Sequence, residues 1–147
     1  MQIALSFIKA VWVYFIVIMS VSSCSLLTSA SHQTLENTYW RLDELYDQPI
    51  TQQKYQTQAH LIFSSSNQIK GNSGCNNLFG QYTRVDSTLS FSQVASTLMA
   101  CTGSASNTEF KLMELLSEPV ILIIKGNKMV FFTPQHQPIA KFTSVKF

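Results

Sequence analysis

Two short segments constrain the fold of this 147-residue chain more than anything else in it. The first reads Gly71-Asn72-Ser73-Gly74-Cys75-Asn76-Asn77-Leu78-Phe79-Gly80-Gln81-Tyr82, and the second Ala95-Ser96-Thr97-Leu98-Met99-Ala100-Cys101. Together they hold three of the five glycines and two of the three cysteines. Glycine and asparagine tolerate positive φ, so the start of the first segment turns the chain sharply before residues 78–84 resume an extended run.

The N-terminal residues speak for a compartment. Lys9 is the one charge before Glu36, and residues 10–19 are almost wholly apolar, giving a basic region followed by a short hydrophobic one. That is the pattern of a secretory signal. It ends in Val21-Ser22-Ser23-Cys24, the spacing of a lipobox, which predicts a signal peptide over residues 1–23, cleavage before Cys24 and lipidation of Cys24. Several acyl chains at about 0.8 kcal/mol per buried methylene would anchor the chain to a bilayer. Two other readings are an uncleaved membrane helix over residues 3–19, which Lys9 weakens, and an ordinary cleaved signal with a fortuitous cysteine. Ser25 follows Cys24 where retention in an inner membrane usually goes with aspartate, so in a two-membrane cell the expected location is the outer membrane, facing the periplasm. Residues 24–35 are small and polar enough to form a tether, leaving residues 36–147 as one domain.

Charge excludes a nucleic-acid footprint. Ten Lys and Arg stand against eight Asp and Glu, and the basic residues are scattered rather than clustered. Cys75 and Cys101 form an even pair in a compartment where disulfides persist. A bond between them would close a loop of about 25 residues and stabilise the fold by on the order of 3 kcal/mol. The alternative is two buried free thiols, which spacing alone does not separate from a bond.

Short extended runs dominate the rest. Residues 39–42, 59–64, 78–84, 89–91, 94–98, 120–124, 129–132 and 139–147 read as strands. Asp86-Ser87, Gly126-Asn127 and residues 134–138 read as turns. One segment changes period: Ser106 and Glu109 have capping-box spacing, which predicts a helix over residues 107–117, ended by Pro119. Its Phe110, Leu112, Met113, Leu115 and Leu116 are expected to pack inward. About seven or eight short strands with one helix predict a mainly β, antiparallel meander that curls into a small barrel, the helix covering one opening. Trp40 is expected in its core.

A G-N-S-G-C-N-x-h-x-G-x-Y stretch (h apolar) followed by A-S-T-x-M-A-C resembles the META domain of the HslJ-like, heat-inducible bacterial lipoproteins. Gly71, Asn72, Gly74, Cys75, Asn76, Gly80, Tyr82, Thr97, Met99 and Cys101 carry the resemblance. It implies a compact, largely antiparallel β structure with a single helix, and it extends from Trp40-Arg41-Leu42-Asp43-Glu44-Leu45 to the closing hairpins.

No reaction is legible. Nothing in the spacing sets His32, His60 or His136 beside Cys75 as the base a nucleophilic thiol needs. Two cysteines this far apart with isolated histidines match no metal-ligand pattern. Gly71-Asn72-Ser73-Gly74 lacks the Gly-Lys-Ser/Thr that a phosphate loop requires, and no cofactor fingerprint occurs. Ser96, Thr97, Asn72, Asn76 and Asn77 would either line a polar patch for a ligand or satisfy backbone groups in turns. The expectation is a non-catalytic, membrane-anchored, monomeric envelope lipoprotein serving stress tolerance or envelope integrity through contacts with another envelope protein. The alternative is a ligand-binding or enzyme-inhibitor module.

Overall fold

The structure is a computed structural model that describes residues 34–51 and 57–145. The signal peptide expected over residues 1–23, the expected lipidation site Cys24, nearly all of the expected tether, His32 and the last two residues of the final expected strand lie outside the described residues. All described residues belong to one compact unit, Ser31–Phe147.

Nine strands and one helix form in chain order: β1 (Tyr39–Leu45), β2 (Gln48–Pro49), β3 (His60–Phe63), β4 (Gln68–Asn72), β5 (Asn77–Val85), β6 (Thr88–Ser96), α1 (Ser104–Leu115), β7 (Val120–Lys125), β8 (Lys128–Phe132) and β9 (Pro138–Val145). Local chemistry sets the tight turns between them. Tyr46 and Asp47 both take positive φ between β1 and β2, and Gly126 takes φ 57° at the β7–β8 hairpin. Such backbone twist suits two-residue hairpins.

The strands pair antiparallel as a meander, and β1 also pairs with β9, closing the sheet on itself. Eight strands make the ring. β3 occupies the edge of β1 along Tyr39 to Arg41, and two-residue β2 takes the same edge at Glu44 and Leu45. The strand count differs from the sequence reading in three places. Residues 89–91 and 94–98, expected as separate pieces, belong to one strand that ends at Ser96, β4 is a full strand instead of a lead into the turn, and the two-residue β2 was not expected.

Seam geometry explains an irregular pattern in β1. Trp40 and Leu42 face inward, but the next buried residue is Leu45. The pairing with β9 slips between Leu42 and Glu44, leaving Asp43 as an extra residue. A bulge of this kind bends its strand and reorients the side chains after it.

Side chains fill the ring, as expected for eight strands. Trp40, Leu61, Phe63, Phe131 and Phe142 are fully buried. Phe131 lies 5.0 Å from Phe142, and Phe63 meets Tyr82 edge-on at 5.1 Å between centroids. Such aromatic geometries add roughly 0.5–1.5 kcal/mol each beyond area burial. Leu35, read from sequence as the end of the tether, also sits in the core, and its carbonyl accepts the Trp40 indole N–H at 3.0 Å.

The helix departs from expectation at its start and on one face. It begins at Ser104 after Gly103 at φ 64°, with no side-chain cap, so the Ser106–Glu109 capping box does not form. Ala105, Thr108, Leu112 and Leu115 define its buried stripe, joined just beyond the helix by Leu116. Phe110 follows Thr108 by two residues, about 200° around the helix, and is 70% exposed. Met113 is half-buried. The expected inward packing therefore holds for Leu112, Leu115 and Leu116, is partial for Met113 and fails for Phe110.

Leu112→Ala should cost about 2–5 kcal/mol of stability through lost contacts and a core cavity, whereas Phe110→Ala should change it by under about 1 kcal/mol. Urea unfolding followed by far-ultraviolet circular dichroism distinguishes the two. Equal losses would contradict this placement of the helix.

Candidate functional site

The two marked segments meet at one end of the ring. β4 delivers Asn72, the 73–76 turn reverses the chain, and β5 starts at Asn77 beside the end of β6. Space dictates one residue here: a Cβ on Gly71 would stand 2.1 Å from the His60 carbonyl oxygen of β3. Gly80 is similarly crowded, with Val94 Cα 3.0 Å from a hypothetical Cβ, where the β5–β6 register shifts.

The turn is held by its own polar side chains. Asn72 Oδ1 accepts from the Gly74 amide at 2.7 Å, and Asn72 Nδ2 donates to Asn77 Oδ1 at 3.0 Å. Fully buried Ser73 accepts the Asn76 amide and donates to the Asn76 carbonyl, both at 3.1 Å.

Asn76 joins the turn to the second segment and the helix. Its Oδ1 accepts from Thr97 Oγ1 at 2.7 Å and from the Met99 amide at 2.8 Å. Its Nδ2 donates toward Glu109 Oε2 at 2.9 Å and the Met99 carbonyl at 3.2 Å, and lies 3.2 Å from Cys101 Sγ. Glu109 completes the link by accepting from Ser96 Oγ at 3.1 Å. Asn76 is 3% exposed, so its amide depends on these partners and not on water.

Cys75 and Cys101 are joined by a disulfide, with Cα atoms 6.1 Å apart. Glu109 Oε2 lies 3.4 Å from Cys101 Sγ, a sulfur with no proton to donate while it is bonded to its partner. Both cysteines and Glu109 are half-buried.

The structure therefore brings together Asn72, Gly74, Cys75, Asn76, Thr97, Met99 and Cys101. Tyr82 stands apart in the core, its hydroxyl donating to the Ser64 carbonyl at 2.9 Å, and burial pushes its phenol pKa up. Met99 enters the cluster through its backbone while its side chain is 58% exposed. Glu109 was legible only as a helix-start residue. An apolar run beginning at Phe110 gave no sign of what its carboxylate would meet.

The histidines within the described residues are placed elsewhere. His60 stacks on Tyr39 at 4.2 Å, its Nδ1 lies 2.8 Å from the Gln58 carbonyl, and burial pulls its pKa down. The amide of His136 donates to the Thr133 carbonyl in the β8–β9 turn. A second polar group surrounds the β1 bulge: Asp43 accepts from Arg41 Nε at 2.8 Å and from the Thr143 hydroxyl, and pairs with Lys128 at 3.4 Å. Burial alone would raise the Asp43 pKa, but those hydrogen bonds and the two cations outweigh it and hold the carboxyl low.

Asn76→Ala should cost about 2–4 kcal/mol, since it removes a buried amide that bonds both the loop and the helix. Gln81→Ala, at an exposed position on β5, should cost about 1 kcal/mol or less. Denaturant midpoints of the two disulfide-intact variants check this, and a neutral Asn76→Ala would contradict the assignment.

The comparisons with known proteins agree with this architecture. An NMR structure of a protein from Burkholderia xenovorans is 22% identical, with a TM-score of 0.61 over 80% of this chain and 88% of that one. A second NMR structure is 19% identical at the same TM-score, covering 76% of this chain and 95% of the other. At these identities the likeness concerns the fold. The comparison with curated proteins gave no match. The family model of the META domain matches residues 33–146, spanning both segments and every strand, and the chain belongs to the META domain family.

Proposed function

We propose that the protein is a non-catalytic envelope lipoprotein that supports stress tolerance or envelope integrity by binding another envelope protein. Anchoring rests on the Val21-Ser22-Ser23-Cys24 lipobox and the basic, then apolar, residues before it. One observation carries the binding reading. The polar groups of the family motif are engaged with one another and with backbone, while the loop they hold presents Leu98, 97% exposed, and Met99, 58% exposed.

Apolar side chains held out by a fixed loop fit recognition better than chemistry. A nucleophile needs a base in contact and a free electron pair, and the disulfide withholds both sulfurs. A loop already ordered before binding gives up little conformational entropy when a partner covers it. Exposed Leu and Met on such a loop offer apolar area to a complementary pocket.

The same loop supports the enzyme-inhibitor alternative, in which it enters the cleft of a lysozyme or protease. Its disulfide-tethered geometry favours that version over a carrier of small apolar molecules, because aromatic and aliphatic side chains occupy the ring interior.

A photo-crosslinking amino acid at position 98, introduced in intact cells, should yield a discrete adduct with an envelope protein. Leu98→Asp should weaken that association by roughly 2 kcal/mol and impair complementation of a deletion strain at normal protein level. Full complementation by the Leu98→Asp, Met99→Asp double variant would contradict the proposal.

A further inference from the structure

We infer that Cys75, Cys101 and Glu109 form a redox-gated binding site for a zinc-like divalent cation, closed while the disulfide is intact and open once it is reduced. This inference does not rest on the protein-contact reading. One sulfur from each cysteine and a Glu109 carboxylate oxygen lie within 4.8 Å of one another. The three come from the 73–76 turn, the segment after β6 and the second turn of α1, so the fold itself converges them.

The oxidised pair offers no thiolate. A dithiol reductant changes this by thiol–disulfide exchange: the protein S–S bond breaks, the dithiol supplies two electrons and two protons, and it leaves as its own disulfide. Two protein thiols remain on backbone whose Cα atoms are 6.1 Å apart. Zinc with Zn–S bonds of about 2.3 Å requires tetrahedral sulfurs about 3.8 Å apart, a separation that two unbonded sulfurs reach without strand movement.

Glu109 is already close to a ligand position. Its Oε2 lies 3.4 Å from Cys101 Sγ, against about 3.6 Å for a sulfur and an oxygen sharing a tetrahedral zinc. Asn76 Nδ2 and Ser96 Oγ, at 2.9 and 3.1 Å, hold the two carboxylate oxygens in place. Outer hydrogen bonds of this kind orient ligands and sharpen metal affinity. Water completes the fourth position. On binding, each thiol gives up its proton as its sulfur bonds the cation, and the Glu109 carboxylate adds a third negative charge.

The test uses the full-length chain carrying Cys24→Ser in detergent, where Cys75 and Cys101 are the remaining thiols. After reduction by a phosphine and its removal, zinc is titrated against a chromogenic chelator, and cobalt(II) is titrated separately. Folding is followed by circular dichroism. The reduced chain should stay folded, bind about one zinc with release of about two protons, and give a thiolate-to-cobalt charge-transfer band with tetrahedral d–d absorption. The oxidised chain should fail to compete with the chelator. Glu109→Gln should weaken binding about tenfold or more, and Ser96→Ala by a smaller factor. The inference is overturned if the reduced chain unfolds, if it does not compete, if oxidised and reduced chains bind alike, or if Glu109→Gln binds as tightly as the parent.

Discussion

Asn76 is buried with an amide that needs partners for two hydrogens and two lone pairs, and it finds them on the segment after β6 and on the helix. Without those bonds the 97–101 segment would be tied to this end of β5 through Thr97 and Asn77 backbone and hydroxyl groups alone, and Glu109 would lose its donor from the turn. The disulfide works in the same direction by fixing the chain on either side. A covalent bond limits how far the two segments separate, chiefly by restricting the unfolded chain. The amide network sets which conformation they share. Gly71 allows this arrangement by letting the β3 carbonyl approach where any Cβ would collide.

The ring on which this cluster sits is closed by β1 and β9, which removes the free sheet edges that a meander would otherwise expose. Closure requires the bulge at Asp43, because unbroken alternation in β1 would bury Glu44 in place of Leu45. The bulged aspartate is accommodated at the surface by Arg41, Lys128 and Thr143, each on or beside the seam. The same rule governs the bulge and the 73–76 turn: irregular backbone is tolerated where polar side chains satisfy it locally.

Much of this was legible in the chain. Alternation in β3 and β7–β9, the Gly126-Asn127 turn and the leucines of the helix follow from local physics, and the motif residues were recognisable as a set. Three features were not. Closure of β1 on β9 joins residues about a hundred positions apart, with no local signal for the pairing. Phe110 read as inward because it is apolar and adjoins a helical stripe, but the buried stripe starts earlier, at Ala105, and its phase puts Phe110 outside. Glu109 read as a cap because its spacing to Ser106 fits one, yet Asn76 and Ser96 offer its carboxylate partners across the fold. Its proximity to Cys101 is tertiary, which is why cysteine and histidine spacing alone revealed no metal-ligand set.

The central claim is that Asn76 and Glu109 act as one unit joining turn, loop and helix. A double-mutant cycle combining Asn76→Ala with Glu109→Ala, measured by equilibrium unfolding with the disulfide intact, tests it most directly. Residues that share a network should show a coupling of about 1–3 kcal/mol, the double variant losing less than the two single losses together. Additivity within about 0.5 kcal/mol would show two independent sites and contradict the account.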